Sequence, residues 1–170
     1  MPDTELLIAS IPPFNPAGES EERVERVTEY NDSIPGIVNN AGANVITGGT
    51  GWDILTGNGG SDTFVYLSSR EGGDTITDFN PSQGSFNISA AGFGGGLVAD
   101  VPLSLTASET GVFVSGANPA PLGTSANLLY NTDTGLLSFD SDGTGSMQAE
   151  KLAALKGLPS LHLEQLKIIA

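Results

Sequence analysis

The chain has 170 residues, with 20 acidic side chains against 6 basic ones, a formal net charge of -14, and no cysteine. That length suits one ordinary domain or two small ones. Nucleic acid and anionic membrane are not expected as partners, for want of a basic surface, and disulfides and thiolate zinc sites are excluded for want of cysteine.

A multivalent cation is the natural counter-ion for so acidic a chain. A hydrophobic fraction of 38% allows a core, while 23 glycines and 10 prolines predict many turns and little long helix. The opening MPDTELLIASIPP has no basic region and no long apolar run, so it does not read as a signal peptide. No stretch approaches the ~20 apolar residues of a membrane-spanning helix. Between Val27 and Glu150 the only basic residue is Arg70.

In chain order, ELLIASIPP (Glu5 to Pro13) predicts a short buried strand stopped by two prolines. A helix is expected next. Ser20 would cap it, Glu21 and Glu22 would sit in its first turn, and Val24, Val27 and Tyr30 would form its apolar face. Pro35 and Gly36 mark its end.

From Asn39 three nine-residue units appear: NNAGANVIT, GGTGWDILT and GNGGSDTFV. Each has a six-residue turn ending in Asn or Asp, then a three-residue strand centred on Ile46, Leu55 or Phe64. Strand alternation turns that central residue inward. Periodicity of this kind predicts a solenoid whose coils bury their apolar residues on one another.

Beyond Tyr66, strands are expected at DTITDF (Asp74 to Phe79), FNISA (Phe86 to Ala90), GVFVSG (Gly111 to Gly116) and NLLY (Asn127 to Tyr130). LLY and LLSFD flank NTDTG, which predicts a hairpin with Gly135 at positive φ. In the tail, Lys151 to Leu155 reads as a helix by propensity or as an edge strand. A last strand is expected at Leu166 to Ile169.

The turns carry the chemistry. Calcium takes six to eight oxygen ligands from carboxylates and carbonyls, and glycine-rich turns can present several carbonyls together. If one coil takes two units, turns eighteen residues apart stack. Asn44 then lies over Asp62, and Asp53 over SREGGD with its Glu71 and Asp74. Asx turns satisfied by their own backbone amides would leave the same pattern without a metal. FDSDGTG (Phe139 to Gly145) places two carboxylates before a glycine, as a calcium loop or a plain solvated turn would.

GGTGWDILTGNGGSDTFVY resembles the RTX (hemolysin-type) calcium-binding nonapeptide, and DTITDF and LLYNTDTGLLSFDSDGTG resemble segments that follow it in secreted RTX proteins. The resemblance covers Asn39 to Ala170. It implies a mainly β fold: a short parallel β-roll continuing into a β-sandwich-like C-terminal cap, behind one N-terminal strand-helix fragment. It also implies calcium binding, secretion through a type I machinery that reads the C-terminal signal, and a strand at Lys151 to Leu155. Carried over by position, the metal ligands are Gly49, Gly51 and Asp53 in one turn, and Asn40, Gly42 and Asn44 against Gly57, Gly59 and Asp62 on the other side. Glu71, Asp74 and Asp78 complete the candidate set. This chain departs from the pattern with asparagine at 39, 40, 44 and 58, which leaves the number of ions open.

LLIASIPPFNP and YNDSIPGIVNNAGANV resemble a segment of SGNH (GDSL-type) hydrolases over Glu5 to Val45. The nucleophile block and the late DxxH pair of that family are missing. Ser33 sits in NDS, and His162 is the sole histidine, so no Ser–His pair is expected and the chain reads as no enzyme. The expected organisation is a hydrolase-like fragment at 1–38, a calcium-binding roll at 39–79 and a β-rich cap carrying the secretion signal at 80–170. The function expected is an extracellular, secreted RTX-type domain that folds on binding calcium ions. The alternatives are a remnant or subunit of a secreted esterase or lipase, and a calcium-dependent adhesion or surface module.

Overall fold

A computed structural model describes residues 37–170 in full and the backbone of residues 23–26. The strand expected at Glu5 to Pro13, the cap at Ser20, the apolar Val27 and Tyr30, and Ser33 lie outside the described residues.

Twelve strands are described: β1 (Arg23–Arg26), β2 (Ile37–Val38), β3 (Asn44–Thr47), β4 (Ile54–Thr56), β5 (Thr63–Tyr66), β6 (Asp74–Ile76), β7 (Ser85–Ser89), β8 (Val112–Gly116), β9 (Asn127–Asn131), β10 (Leu136–Asp140), β11 (Glu150–Leu155) and β12 (Leu166–Ile169). One short helix, α1 (Ala90–Phe93), follows β7, with the Ser89 side chain accepting from the Gly92 amide at its start. The strands form a five-stranded sheet in the order β1-β3-β5-β7-β12 and a seven-stranded sheet in the order β2-β4-β6-β11-β10-β9-β8.

The helix expected around Val24 is corrected to a strand. Arg23–Arg26 pairs in parallel with Asn44–Thr47, and the ladder bonds outweigh local propensity. β1 and β3 pair 21 residues apart, whereas β2 with β4 and β3 with β5 pair eighteen apart, as Ile37 with Leu55 and Val45 with Thr63. The spacing is 21 between β4 and β6 and 22 between β5 and β7.

Distant strands complete both sheets. β11 adds in parallel to β6, with Ala153 opposite Asp74, and β12 adds in parallel to β7, with Leu166 opposite Phe86. β9, β10 and β11 run antiparallel, with Gly135 at φ 70° in the β9–β10 turn, whereas β8 and β9 are parallel. The expected β-roll of repeats with a separate sandwich-like cap is therefore corrected: this is a globular fold of two packed sheets, one parallel and one mixed, with one short helix. The reason is local. Only two glycine–aspartate units are complete, and past Tyr66 the turns lose their common length.

One core lies between the sheets. Ile46, Phe64, Phe86, Ile88 and Ile168 come from the smaller sheet, and Leu55, Ile76, Leu128, Tyr130, Leu137 and Leu155 from the larger. The Phe79 and Phe86 rings stack at 5.0 Å, and Phe93 meets Phe139 edge-on at 4.9 Å. Such aromatic pairs add about 0.5–1.5 kcal/mol each beyond the area they bury. Lys151 to Leu155, ambiguous by propensity, lies in an interior strand, Glu150–Leu155, because its Leu152 and Leu155 fill this core. Among the described residues, no helix is long and apolar enough to cross a membrane.

Candidate functional site

Asp53 and Asp74 come together at the mouth of the β4 and β6 strands. The Asp53 amide donates to Asp74 Oδ1 at 3.0 Å, and Thr75 N donates to the Asp53 carbonyl at 2.8 Å, which locks one turn over the other. Asp53 is 2% exposed and Asp74 is wholly buried. Their remaining oxygens converge over Gly48. A Cβ placed there would stand 2.9 Å from Asp53 Oδ2 and 3.2 Å from Asp74 Oδ2, so glycine is what leaves the space open.

The two carboxylates are unequally satisfied. Asp74 Oδ2 accepts from the Tyr66 hydroxyl at 2.8 Å, whereas Asp53 Oδ2 is buried and has no hydrogen-bond partner. Burial pushes Asp74 up to about 7 from an ordinary 3.8, against the opposing effect of its hydrogen bonds. Burial also raises Asp53, and it raises the Tyr66 phenol well above its usual range with help from the Asp74 charge.

The other row is built differently. The Asn44 amide N–H donates to Asp62 Oδ1 at 3.1 Å, and Gly42 lies against Gly60 of the turn above. Asn40 Oδ1 accepts from the Gly42 amide at 2.7 Å. Asp62 is raised by burial, opposed by the Asn44 hydrogen bond, with Asp78 adding to the rise. Asp78 accepts from the Gly57 and Asn58 amides at 2.9 and 2.7 Å.

Of the residues expected from sequence, then, Asp53 meets Asp74 and Asn44 meets Asp62; Asn40 and Gly42 lie in the Asn44 turn, Gly57 lies against the Asp62 carboxylate and donates to Asp78, and Gly59 lies over Ala41. Gly49 and Gly51 take positive φ in the turn leading to Asp53, at 84° and 135°. Glu71 does not join: its Oε2 accepts from the Leu67 amide inside its own turn. In the Asp140–Asp142 turn, Asp140 Oδ1 accepts from the Asp142 amide and Asp142 Oδ2 from the Ser146 and Met147 amides, while Asp142 Oδ1 is buried without a partner. Sequence reasoning misses Tyr66 and Gly48 as part of the site. Their signal is the place of each, an aromatic ending a strand eight residues before Asp74 and a glycine opening the turn of Asp53. His162 is exposed and uses its main-chain amide to reach Gln165 Oε1.

No protein-family model matches the chain, and no curated protein or solved structure matches it. The resemblances to RTX proteins and to SGNH hydrolases are corrected accordingly: the short motifs recur, but the whole is a two-sheet domain around a packed aromatic core. The expected functions are corrected with them. Among the described residues no group of three or more His, Cys, Asp or Glu side chains could hold a metal ion. The core is packed without one. Neither a secreted RTX module folded by calcium, nor an adhesion module, nor an esterase remnant accounts for that.

Proposed function

We propose that the chain is a folded binding domain that takes a hard divalent cation, calcium in class, at the Asp53–Asp74 turn pair. One observation carries this: two buried carboxylates converge over Gly48, and one of the oxygens there, Asp53 Oδ2, has no partner. A buried, unpaired carboxylate oxygen is costly. Two such acids side by side need either a proton or a cation between them. The raised affinity of Asp74 for a proton is the cation-free answer.

Asp53 and Asp74 would hold the ion. Two carboxylates do not fill a calcium shell, so main-chain carbonyls or water would supply the rest. The ion would strengthen a domain that is already packed, by binding the folded chain in preference to the unfolded one. The same reading extends to an extracellular setting, reached through type I export, where millimolar calcium suits sites of Kd ~10⁻⁴–10⁻³ M.

Terbium luminescence tests the site. Trp52, the sole tryptophan, is 80% exposed and packs beside Gly73, next to Asp74. Excited through Trp52, terbium should emit on binding, calcium should compete it away, and Asp53→Asn should remove the signal. Emission that Asp53→Asn leaves unchanged would place the ion elsewhere.

A further inference from the structure

We infer that Lys151 is the resident counter-charge of the Asp53–Asp74 pair: its ammonium serves the carboxylates while the site is ion-free and opposes a divalent cation that enters. The inference rests on reading Asp53 and Asp74 as the cation pair, and it adds the residue that sets how tightly that pair binds.

Lys151 is remote from the pair in sequence and is brought to it by the sheet. β11 adds beside β6 with Ala153 opposite Asp74, and the Gly73 amide donates to the Leu152 carbonyl at 2.9 Å. The turn leading to Asp74 is pressed onto this strand, since a Cβ on Gly72 would overlap the Lys151 carbonyl. From there the Lys151 ammonium donates to the Gly73 carbonyl at 2.6 Å, one residue before Asp74. Burial raises the Asp74 carboxyl, and the Lys151 charge is among the effects that lower it, so the two groups feel each other.

The ammonium stands on an exposed side chain, whereas Leu152 of the same strand is in the core. It is therefore free to move off without unpacking the sheet. With no ion present, its positive charge offsets part of the charge on the two acids. Once a divalent cation lies between them, that attraction gives way to repulsion between like charges. Acting through partly aqueous surroundings, one extra positive charge near the site weakens divalent binding by about three- to tenfold at low salt. A purely structural role has the opposite sign. If the ammonium served only to fix the Gly73 carbonyl and so to place Asp74, its loss would weaken cation binding.

Calcium titration calorimetry on the full chain at low salt separates the two. Lys151→Gln keeps a donor for the Gly73 carbonyl and removes the charge, so it should bind calcium about three- to tenfold tighter. Lys151→Arg keeps the charge and should stay within about twofold of the unaltered chain. At about 1 M salt, where screening acts over ~3 Å, the gain in Lys151→Gln should vanish. If Lys151→Gln does not fold in chelator, Lys151→Met decides in its place. Affinity that is unchanged or weaker in the uncharged variant, or a gain that salt leaves intact, overturns the inference. Asp53→Asn is the control for the site itself. Calcium binding that Asp53→Asn leaves untouched would overturn the Asp53–Asp74 reading, and this inference with it. Binding that Asp53→Asn abolishes but the uncharged Lys151 variant does not strengthen overturns the inference alone.

Discussion

Burial gives Asp74 an affinity for protons that an exposed aspartate lacks. Its folded value is about 7 against an ordinary 3.8. Between those values the folded chain keeps a proton that the unfolded chain has released, so stability falls as pH rises through the window from about 4 to about 7 and levels off above it. At about 1.4 kcal/mol per unit, the span is on the order of 4 kcal/mol. Denaturant titrations in chelator at pH 4.5, 6 and 7.5 should show this decline, and Asp74→Asn should flatten it. A wild-type chain that gains stability across the window would refute the burial account. The residue types of the site are legible in the sequence, because a recurring aspartate among glycines is a strong local signal. The partnership of Tyr66 with Asp74 is not, since it depends on where β5 and β6 lie in different sheets.

At the scale of the element, the turns set the geometry and glycine sets the turns. Gly60 has φ 100°, and a Cβ there would overlap the Gly42 carbonyl of the turn below. Strain of that kind costs about 1–3 kcal/mol before the clash is counted. Gly60→Ala should therefore lower stability by about 2 kcal/mol or more, measured as a shift in the denaturant midpoint, while Gly116→Ala, which meets open space, should shift it far less. An equal, small effect at both positions would show that the turns do not stack this closely. The strands centred on Ile46, Leu55 and Phe64 are readable because a large apolar residue returns every nine positions, and in a strand its two neighbours face the other way. The element around Val24 reads as a helix and folds as a strand: glutamate and arginine favour helix locally, and only pairing with β3 decides otherwise.

For the whole molecule, the packed core makes the fold precede the ion. In chelator the chain should keep its far-UV β signal and unfold in one cooperative transition, and calcium should raise the midpoint without creating the transition. A chain that is unstructured in chelator and folds only with calcium would overturn this. Phe64, 1% exposed, joins Phe79 and Phe86 in the aromatic cluster. Phe64→Ala should cost about 3–5 kcal/mol, by calorimetry or denaturant. Because β12 pairs with β7 and Asp100 N donates to the Ile168 carbonyl, removing the last strand should destabilise the entire domain and not a detachable cap.

Residue order alone encodes what acts at short range: an acidic, cysteine-free β chain, its inward residues, its glycine turns and the identity of its carboxylates. Long-range packing settles which turns meet and that β11 and β12 return to complete the sheets. It also makes a strand of one expected helix, and it leaves Asp53 with a buried, unpaired oxygen. Turn chemistry depends on a few neighbouring residues, whereas sheet order and buried satisfaction depend on partners as far apart as Asp74 and Ala153.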